Sequence, residues 1–422
     1  MTITAFIALF GWIPFVLALF LVLPARRAIL AAYLGAWMFL PMAGVRITAL
    51  PDFGKIMAAN LAILLGTALF DAGRLLTFRP RLIDLPIAAW FICPFFSSLI
   101  NGLGAYDGAA SVFGNVMTWG VPYLIGRLYF SDLPSLRELA IAIFIGGLIY
   151  VPFCLWEIRM SPQLHAMIYG GKKTGFIQTI RYGGYRPVVF MQHGLMVSMW
   201  LTTATLAGWS LWRSGNLRHL FGVPIAWLLP LMIVTTVLCK STYALVLLFL
   251  GIVVMSVCKR MHSAVPLMCL IMVVPTYMVL RSQNILAVDT VTSIASEIFP
   301  EDRVRSLSIR LEQEDVLSAR AMQRPLFGWG GWGRSSSTDP VTGQPTLKGL
   351  DALWTITLGS SGIIGIASFT MVMLLAPFLV LWRRPGRSWS DASSAPLMVM
   401  VTLLVLHMLD NLLNGMINRF FP

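Results

Sequence analysis

The sequence predicts an all-α polytopic membrane protein with about twelve transmembrane helices and a large, partly helical outer loop. Three observations predict it. Of the 422 residues, 57% are hydrophobic and only 12% charged, about half the charged share of an ordinary soluble domain. Apolar runs close to the ~20 residues that cross a hydrocarbon core recur along the whole chain. Basic residues, finally, collect in alternate connections between those runs.

The runs lie near 3–23, 28–43, 56–72, 82–104, 109–129, 139–156, 188–212, 223–239, 242–258, 264–280, 353–382 and 395–414. The second is short, and the eleventh is long enough to tilt or break. No small-residue cleavage pattern follows the first, which is therefore expected to be retained. All of 1–422 reads as a single integral membrane domain.

A net charge of +13 invites a nucleic-acid reading, which the charge distribution excludes. Arg26, Arg27, Arg74, Arg79, Arg81, Arg127, Arg137, Arg213, Arg218, Lys259, Arg260, Arg383, Arg384 and Arg387 fall on one side if the spans alternate. The short connections opposite hold only Arg46, Lys55 and Lys240. That asymmetry puts the first set in the cytoplasm. The two longest connections, 157–187 and 281–352, then face outward, and they are cationic. Long loops translocate regardless of charge, so basic residues kept there need a local reason.

All five cysteines lie in or at the ends of spans, which implies no disulfide framework. No spacing of metal-ligating side chains is recognisable, so neither metal nor cofactor is expected. In the larger outer loop, 302–323 lacks Gly and Pro and opens on Asp302, a preferred N-cap residue. Val304, Leu307 and Leu311 recur at helical spacing, predicting an amphipathic helix. Glu314 stands one turn after Arg310 and is placed to orient it. Pro325 stops the helix and 328-GWGGWGR-334 follows. Trp329 and Trp332 offer flat faces either to the membrane interface or to a sugar ring. Asp351 stands at the mouth of the next span, where a carboxylate is either an N-cap or is hydrated, paired or used.

The stretch 181-RYGGYRPVVFMQHGL-195 sets Arg181, Arg186 and His193 at the start of another span. Pro187 is suited to a first helical turn. His193 is either a structural, hydrogen-bonded histidine or a substrate contact.

These residues resemble the O-antigen ligase and polymerase superfamily of bacterial inner-membrane glycosyltransferases. The resemblance rests on R-P-x-x-x-x-x-H-G-L at 186–195, on the run from Arg310 through 324-RPLFGWG-330, and on 351–365 with its Gly-x-x-Gly. At Asp351 and Ala352 the family's ligases carry His and Asn. That departure points toward the polymerase and exopolysaccharide branch, as do Arg159 with Gly170 and Arg320 with Gly331, which fit an Arg-x10-Gly pattern. The resemblance implies a GT-C-like enzyme of the inner membrane with its active site facing the periplasm. Its substrate would be an oligosaccharide on undecaprenyl pyrophosphate, and a flippase and a chain-length regulator are the implied partners beside membrane lipid. Arg310, Asp351 and His193 are the implied catalytic residues, with Asp351 as first candidate for general base. Arg181, Tyr185, Arg186, Arg320, Arg324, Trp329, Trp332 and Arg334 would hold the substrate, because guanidinium groups bind phosphate bidentately. The alternatives are a ligase passing a finished glycan to an acceptor, and a flippase or transporter for the same lipid-linked sugar.

Overall fold

A computed structural model describes residues 2–47, 50–171, 175–298, 300–331, 334–335, 352–384 and 386–415. Of the described residues, 77% are helical. Among the described residues, sheet is confined to three short antiparallel hairpins: Gly44–Ile47 with Leu50–Gly54, Ile180–Arg181 with Gly184–Tyr185, and His219–Leu220 with Val223–Pro224. The helices run α1 (Ile3–Val22), α2 (Ala25–Phe39), α3 (Lys55–Phe70), α4 (Ala72–Leu76), α5 (Leu85–Ile100) and α6 (Ala105–Asn115). Then come α7 (Val121–Tyr129), α8 (Leu133–Met160), α9 (Leu164–Tyr169), α10 (Phe176–Thr179), α11 (Gly194–Arg213) and α12 (Ile225–Leu238). The last six are α13 (Thr242–Met261), α14 (Val265–Ser282), α15 (Val288–Ser296), α16 (Glu301–Ala321), α17 (Leu353–Arg383) and α18 (Ala395–Leu413).

Seven helical segments among the described residues are long and apolar enough to cross a membrane: Ile3–Val22, Leu82–Ile100, Leu133–Met160, Thr242–Met261, Val265–Ser282, Leu353–Arg383 and Ala392–Leu413. They establish the all-α, multi-pass class. The other runs differ for visible reasons. α2 has 15 residues and α12 has 14, both short of the ~20 a crossing needs, as is α3 at 16. The run 109–129 is divided by a π turn, Val116–Gly120, between α6 and α7. α11 is 20 residues long but rich in hydroxyls. It is buried almost throughout, and Ser198, Thr203 and Thr205 donate to their own helix carbonyls four residues back at 2.7–2.9 Å, which satisfies them without water.

The chain forms two compact units. The first comprises Met1–Pro80, Val116–Ala264 and Arg384–Leu403. Within it α11 is the central helix, packed by α8, α12 and α13, while α1, α2 and α3 pack on one another. The second comprises Arg81–Asn115, Val265–Arg383 and Leu404–Pro422. Here α5 packs on α6 and α17, and the outer helix α16 lies on α14, α15 and α17.

The loop boundaries shift from those expected. α8 continues to Met160, so Glu157 and Arg159 belong to a helix rather than to the first outer loop. α16 begins at Glu301 with Pro300 as its N-cap, so Asp302 lies inside the first turn instead of capping it. Its buried face is Leu311, Glu314, Leu317, Ser318 and Ala321, one turn beyond the Val304–Leu307–Leu311 stripe.

Candidate functional site

In the first unit, Tyr182 (φ 48°) and Gly183 (φ 65°) form the turn between Ile180–Arg181 and Gly184–Tyr185, the positive-φ pair that a two-residue hairpin needs. Lys240 Nζ donates to the carbonyls of Arg181 at 3.0 Å and Tyr182 at 3.2 Å. Arg186, 5% exposed, donates its backbone N–H to Thr179 (2.7 Å) and Nη2 to the Lys240 carbonyl (2.8 Å). Its aliphatic stem passes where a Cβ on Gly194 would sit, which accounts for glycine in the H-G-L triplet. Arg186 thus ties the hairpin to the turn between α12 and α13.

Pro187 does not start a helix. Val189 has φ 51°, and α11 begins only at Gly194. The reason is Glu157, a residue the sequence reading left in a loop. Its buried carboxylate accepts the N–H groups of Val188 and Val189 at 2.7 Å and of Leu164 at 3.0 Å, holding 187–193 in a non-helical course. His193 stands at the start of α11. It is the N-cap of α11, and its Nδ1 accepts the Leu195 N–H at 3.1 Å. Arg181 is half-buried, its Nε without an acceptor among the described residues. Tyr185 packs near the Phe176 ring.

Glu157 also lines a cavity of about 410 Å³ with His165, Gln163, Thr179, Phe176 and Met191. A Glu157→Gln variant turns one acceptor oxygen into a donor facing amide N–H groups. We expect it to lose about 2–4 kcal/mol, read as a lower thermal midpoint of the purified protein. An unchanged midpoint would show these contacts to be dispensable.

In the second unit, α17 is broken at Gly362, whose φ is 66°. The break is filled by the segment after α16. Trp329 N donates to the Gly359 carbonyl (2.8 Å) and Gly330 N to that of Ser360 (3.1 Å). In return Ile363 N and Ile364 N donate to Pro325 (2.7 Å) and Leu326 (3.3 Å). Four backbone groups at the break are thus satisfied by the loop, and the Ser361 carbonyl accepts from Cys93 Sγ of α5 at 3.1 Å, as buried main chain requires. A Cβ on Gly328 would lie 2.6 Å from the Gly359 oxygen, and one on Gly362 would overlap the Leu326 carbonyl. The Pro-Leu-x-Gly and Gly-x-x-Gly stretches are therefore two halves of one joint.

This joint holds a cationic shelf. The guanidinium of Arg320 lies 3.8 Å and that of Arg324 4.4 Å from the Trp329 ring centroid. Trp329 Nε1 donates to the Arg320 carbonyl at 2.9 Å, fixing the ring. Arg324 donates to Asn101 Oδ1, while Asn101 Nδ2 donates to Ser97 (2.7 Å) and Gly328 (2.9 Å). Asn101, at the C-terminal end of α5, is a residue the sequence reading missed. Its signal was a lone amide inside the apolar run 82–104. Neither Arg320 nor Arg324 has a carboxylate partner among the described residues, and Arg320 Nε is buried without an acceptor there. Arg334 is exposed beside Gly331.

Arg310 is not oriented by Glu314. Its Nη1 donates to Asn414 Oδ1 at 3.3 Å, and Asn414 Nδ2 donates to Asp410 Oδ1 at 2.7 Å. Glu314 turns the other way. It accepts from Tyr277 OH (2.8 Å), Arg281 Nε (3.3 Å) and Trp354 Nε1 (3.3 Å). Arg281 in turn reaches Asp315 Oδ1 at 2.7 Å and the carbonyls of Leu286 and Leu311. This buried network clamps α16 to α14 and α17.

Asp351 and Trp332 lie outside the described residues, as do Lys172 and Lys173. Of the expected site residues, the second unit joins Arg320, Arg324 and Trp329, and places Arg310 with Asp410 and Asn414. Arg181, Tyr185, Arg186 and His193 belong to the first unit. The two guanidinium groups of the shelf can hold an anion such as a phosphate. No protein-family model matches the chain, and no curated protein sequence does.

Proposed function

We propose that the chain is an inner-membrane glycosyltransferase that joins oligosaccharide units carried on polyprenyl pyrophosphate, at the periplasmic face, without metal or nucleotide sugar. One observation carries this reading: two guanidinium groups stacked on one indole, with no carboxylate partner among the described residues. Like charges held together without a counter-charge are costly unless an anion completes them. As the glycosyl–phosphate bond breaks, charge grows on the leaving diphosphate, and fixed guanidinium donors stabilise that state more than the ground state. Arg310 stands beside a carboxylate, Asp410, and Asp351 remains the base that the family resemblance implies. The polymerase, with about twelve spans, is the preferred form, and a ligase using the same donor is its near relative.

A flippase reading draws on one specific feature, the broken helix α17. The same experiment separates the two. The purified protein is reconstituted with undecaprenyl-pyrophosphate-linked repeat units alone, and products are run on a gel. A ladder is expected for the polymerase. The Arg320→Ala/Arg324→Ala double variant should lose at least about 100-fold in rate while remaining folded. Movement of the substrate across the bilayer with no new glycosidic bond, whatever the acceptor, would replace the enzyme by a flippase.

A further inference from the structure

The first unit contains a second cavity that the glycosyltransferase reading does not use. It measures about 40 Å³ and lies where the ends of α11 and α13 meet the start of α18 and the Gly386–Ser390 3-10 turn before it. Arg213, in the last turn of α11, and Lys259, in the last turn of α13, line it together with Ser214 and Ser256. Trp389 lines it too, and is 5% exposed. Its indole N–H is buried without an acceptor among the described residues.

Cations at helix C-termini have an ordinary explanation, since they complement the helix dipole. That explanation does not extend to a buried indole donor, which costs about 1–3 kcal/mol when left unsatisfied. The size narrows what could accept from it. One water needs ~10–15 Å³ on this measure, so 40 Å³ suits a phosphate group whose substituent stays outside, and is too small for a sugar. The Arg213 guanidinium lies 5.8 Å from the Trp209 ring centroid, which orients it from the side. Asp391 on the rim opposes an anion, but it makes no ion pair among the described residues and is outnumbered by the two cations. α13, one of the membrane-crossing segments, ends at the cavity on Lys259 and Arg260, and such basic span ends lie where phospholipid headgroups are.

We propose that this cavity is a binding site for a phosphate ester, occupied in the membrane by a phospholipid headgroup, with Arg213 and Lys259 as its charged donors and Trp389 Nε1–H as its buried one.

The test is native mass spectrometry of the full-length protein in detergent, titrated with phosphatidylglycerol. One tightly held lipid is expected. Arg213→Gln, at an exposed side chain, should lower its occupancy at least about fivefold, as the loss of a charge-assisted hydrogen bond predicts. Trp389→Phe, which keeps the ring and removes only the donor, should lower it as well. A large excess of inorganic phosphate separates the sources. Displacement of the lipid by it would assign the site to phosphate as such, and retention would assign it to the lipid. Equal occupancy in wild type and both variants, or no binding of lipid or phosphate by the wild type, overturns the proposal.

Discussion

Glu314→Ala is expected to cost the protein about 3–5 kcal/mol, seen as a fall of several degrees in its thermal midpoint in detergent. The substitution removes an acceptor shared by Tyr277, Arg281 and Trp354 and leaves Arg281, 1% exposed, with Asp315 as its remaining acid among the described residues. Removing one partner of a buried pair is strongly destabilising because the other charge stays buried. The same site carries a pH signature. Burial pushes the Glu314 carboxyl from its ordinary 4.5 up to about 6, against the lowering hydrogen bond from Tyr277 and the charge of Arg281. A folded-state pKa above the unfolded one means that the native protein holds this proton more tightly. The group's stabilising share, about 2 kcal/mol, is therefore complete below pH ~4.5 and lost as pH rises through ~6. Glu314→Gln should be less damaging than alanine and should remove this component of the pH dependence. A midpoint that moves with pH equally in wild type and Glu314→Gln would assign the slope to other groups.

Gly362→Ala should undo the joint between the outer segment and α17. Alanine meets two obstacles there. Its backbone must adopt φ 66° and ψ −166°, a region essentially reserved to glycine that costs about 1–3 kcal/mol, and its Cβ overlaps the Leu326 carbonyl. The neighbour is main chain, so no side-chain rotation relieves it. Separation of the two strands strips acceptors from Trp329, Gly330, Ile363 and Ile364 together, since their four bonds form one interlock. Hydrogen exchange at those amides should accelerate at least about 100-fold relative to wild type. Arg324 and Trp329 lose their position on the Gly328–Asn101 support, so the proposed transferase activity should fall with it. Gly328→Ala, whose Cβ would stand 2.6 Å from the Gly359 oxygen, should give the same result. Combining the two should add little, because both break one joint. Unchanged protection at 329–330 and 363–364 would show that the joint tolerates a methyl group and that its glycines are incidental.

Much of the site was half-visible in the chain. The run 353–382 exceeds a single crossing, and a break was foreseeable from that length, with Gly362 and Gly365 available to host it. The residues that fill the break were equally conspicuous as RPLFGWG. What one-dimensional reading could not supply is that the two stretches exchange backbone hydrogen bonds. Arg320, Arg324 and Trp329 were expected at the substrate, and their mutual stacking follows from short spacing across the stop of α16. Arg310 shows the opposite case. Glu314, one turn away, was the local partner of the right sign, yet it bonds Arg281, 33 residues distant, and Arg310 turns to Asn414, 104 residues distant. Exposed neighbours one turn apart gain only ~0.3–0.5 kcal/mol, which a buried partner outweighs. Glu157 was missed because an acid at the end of an apolar run looks like the start of a loop.

Apolar run length determined by itself that this chain is a helical, multi-pass membrane protein, because crossing a hydrocarbon layer constrains every residue of a span locally. Tertiary structure alone decided which cations serve the fold and which stand together without a carboxylate partner among the described residues. Arg186 and Arg281 are consumed by carbonyls and carboxylates from distant segments, whereas Arg320 and Arg324 meet over an indole. The physical reason is that a buried charge must find its partners wherever packing brings them, and packing is not written in neighbouring letters.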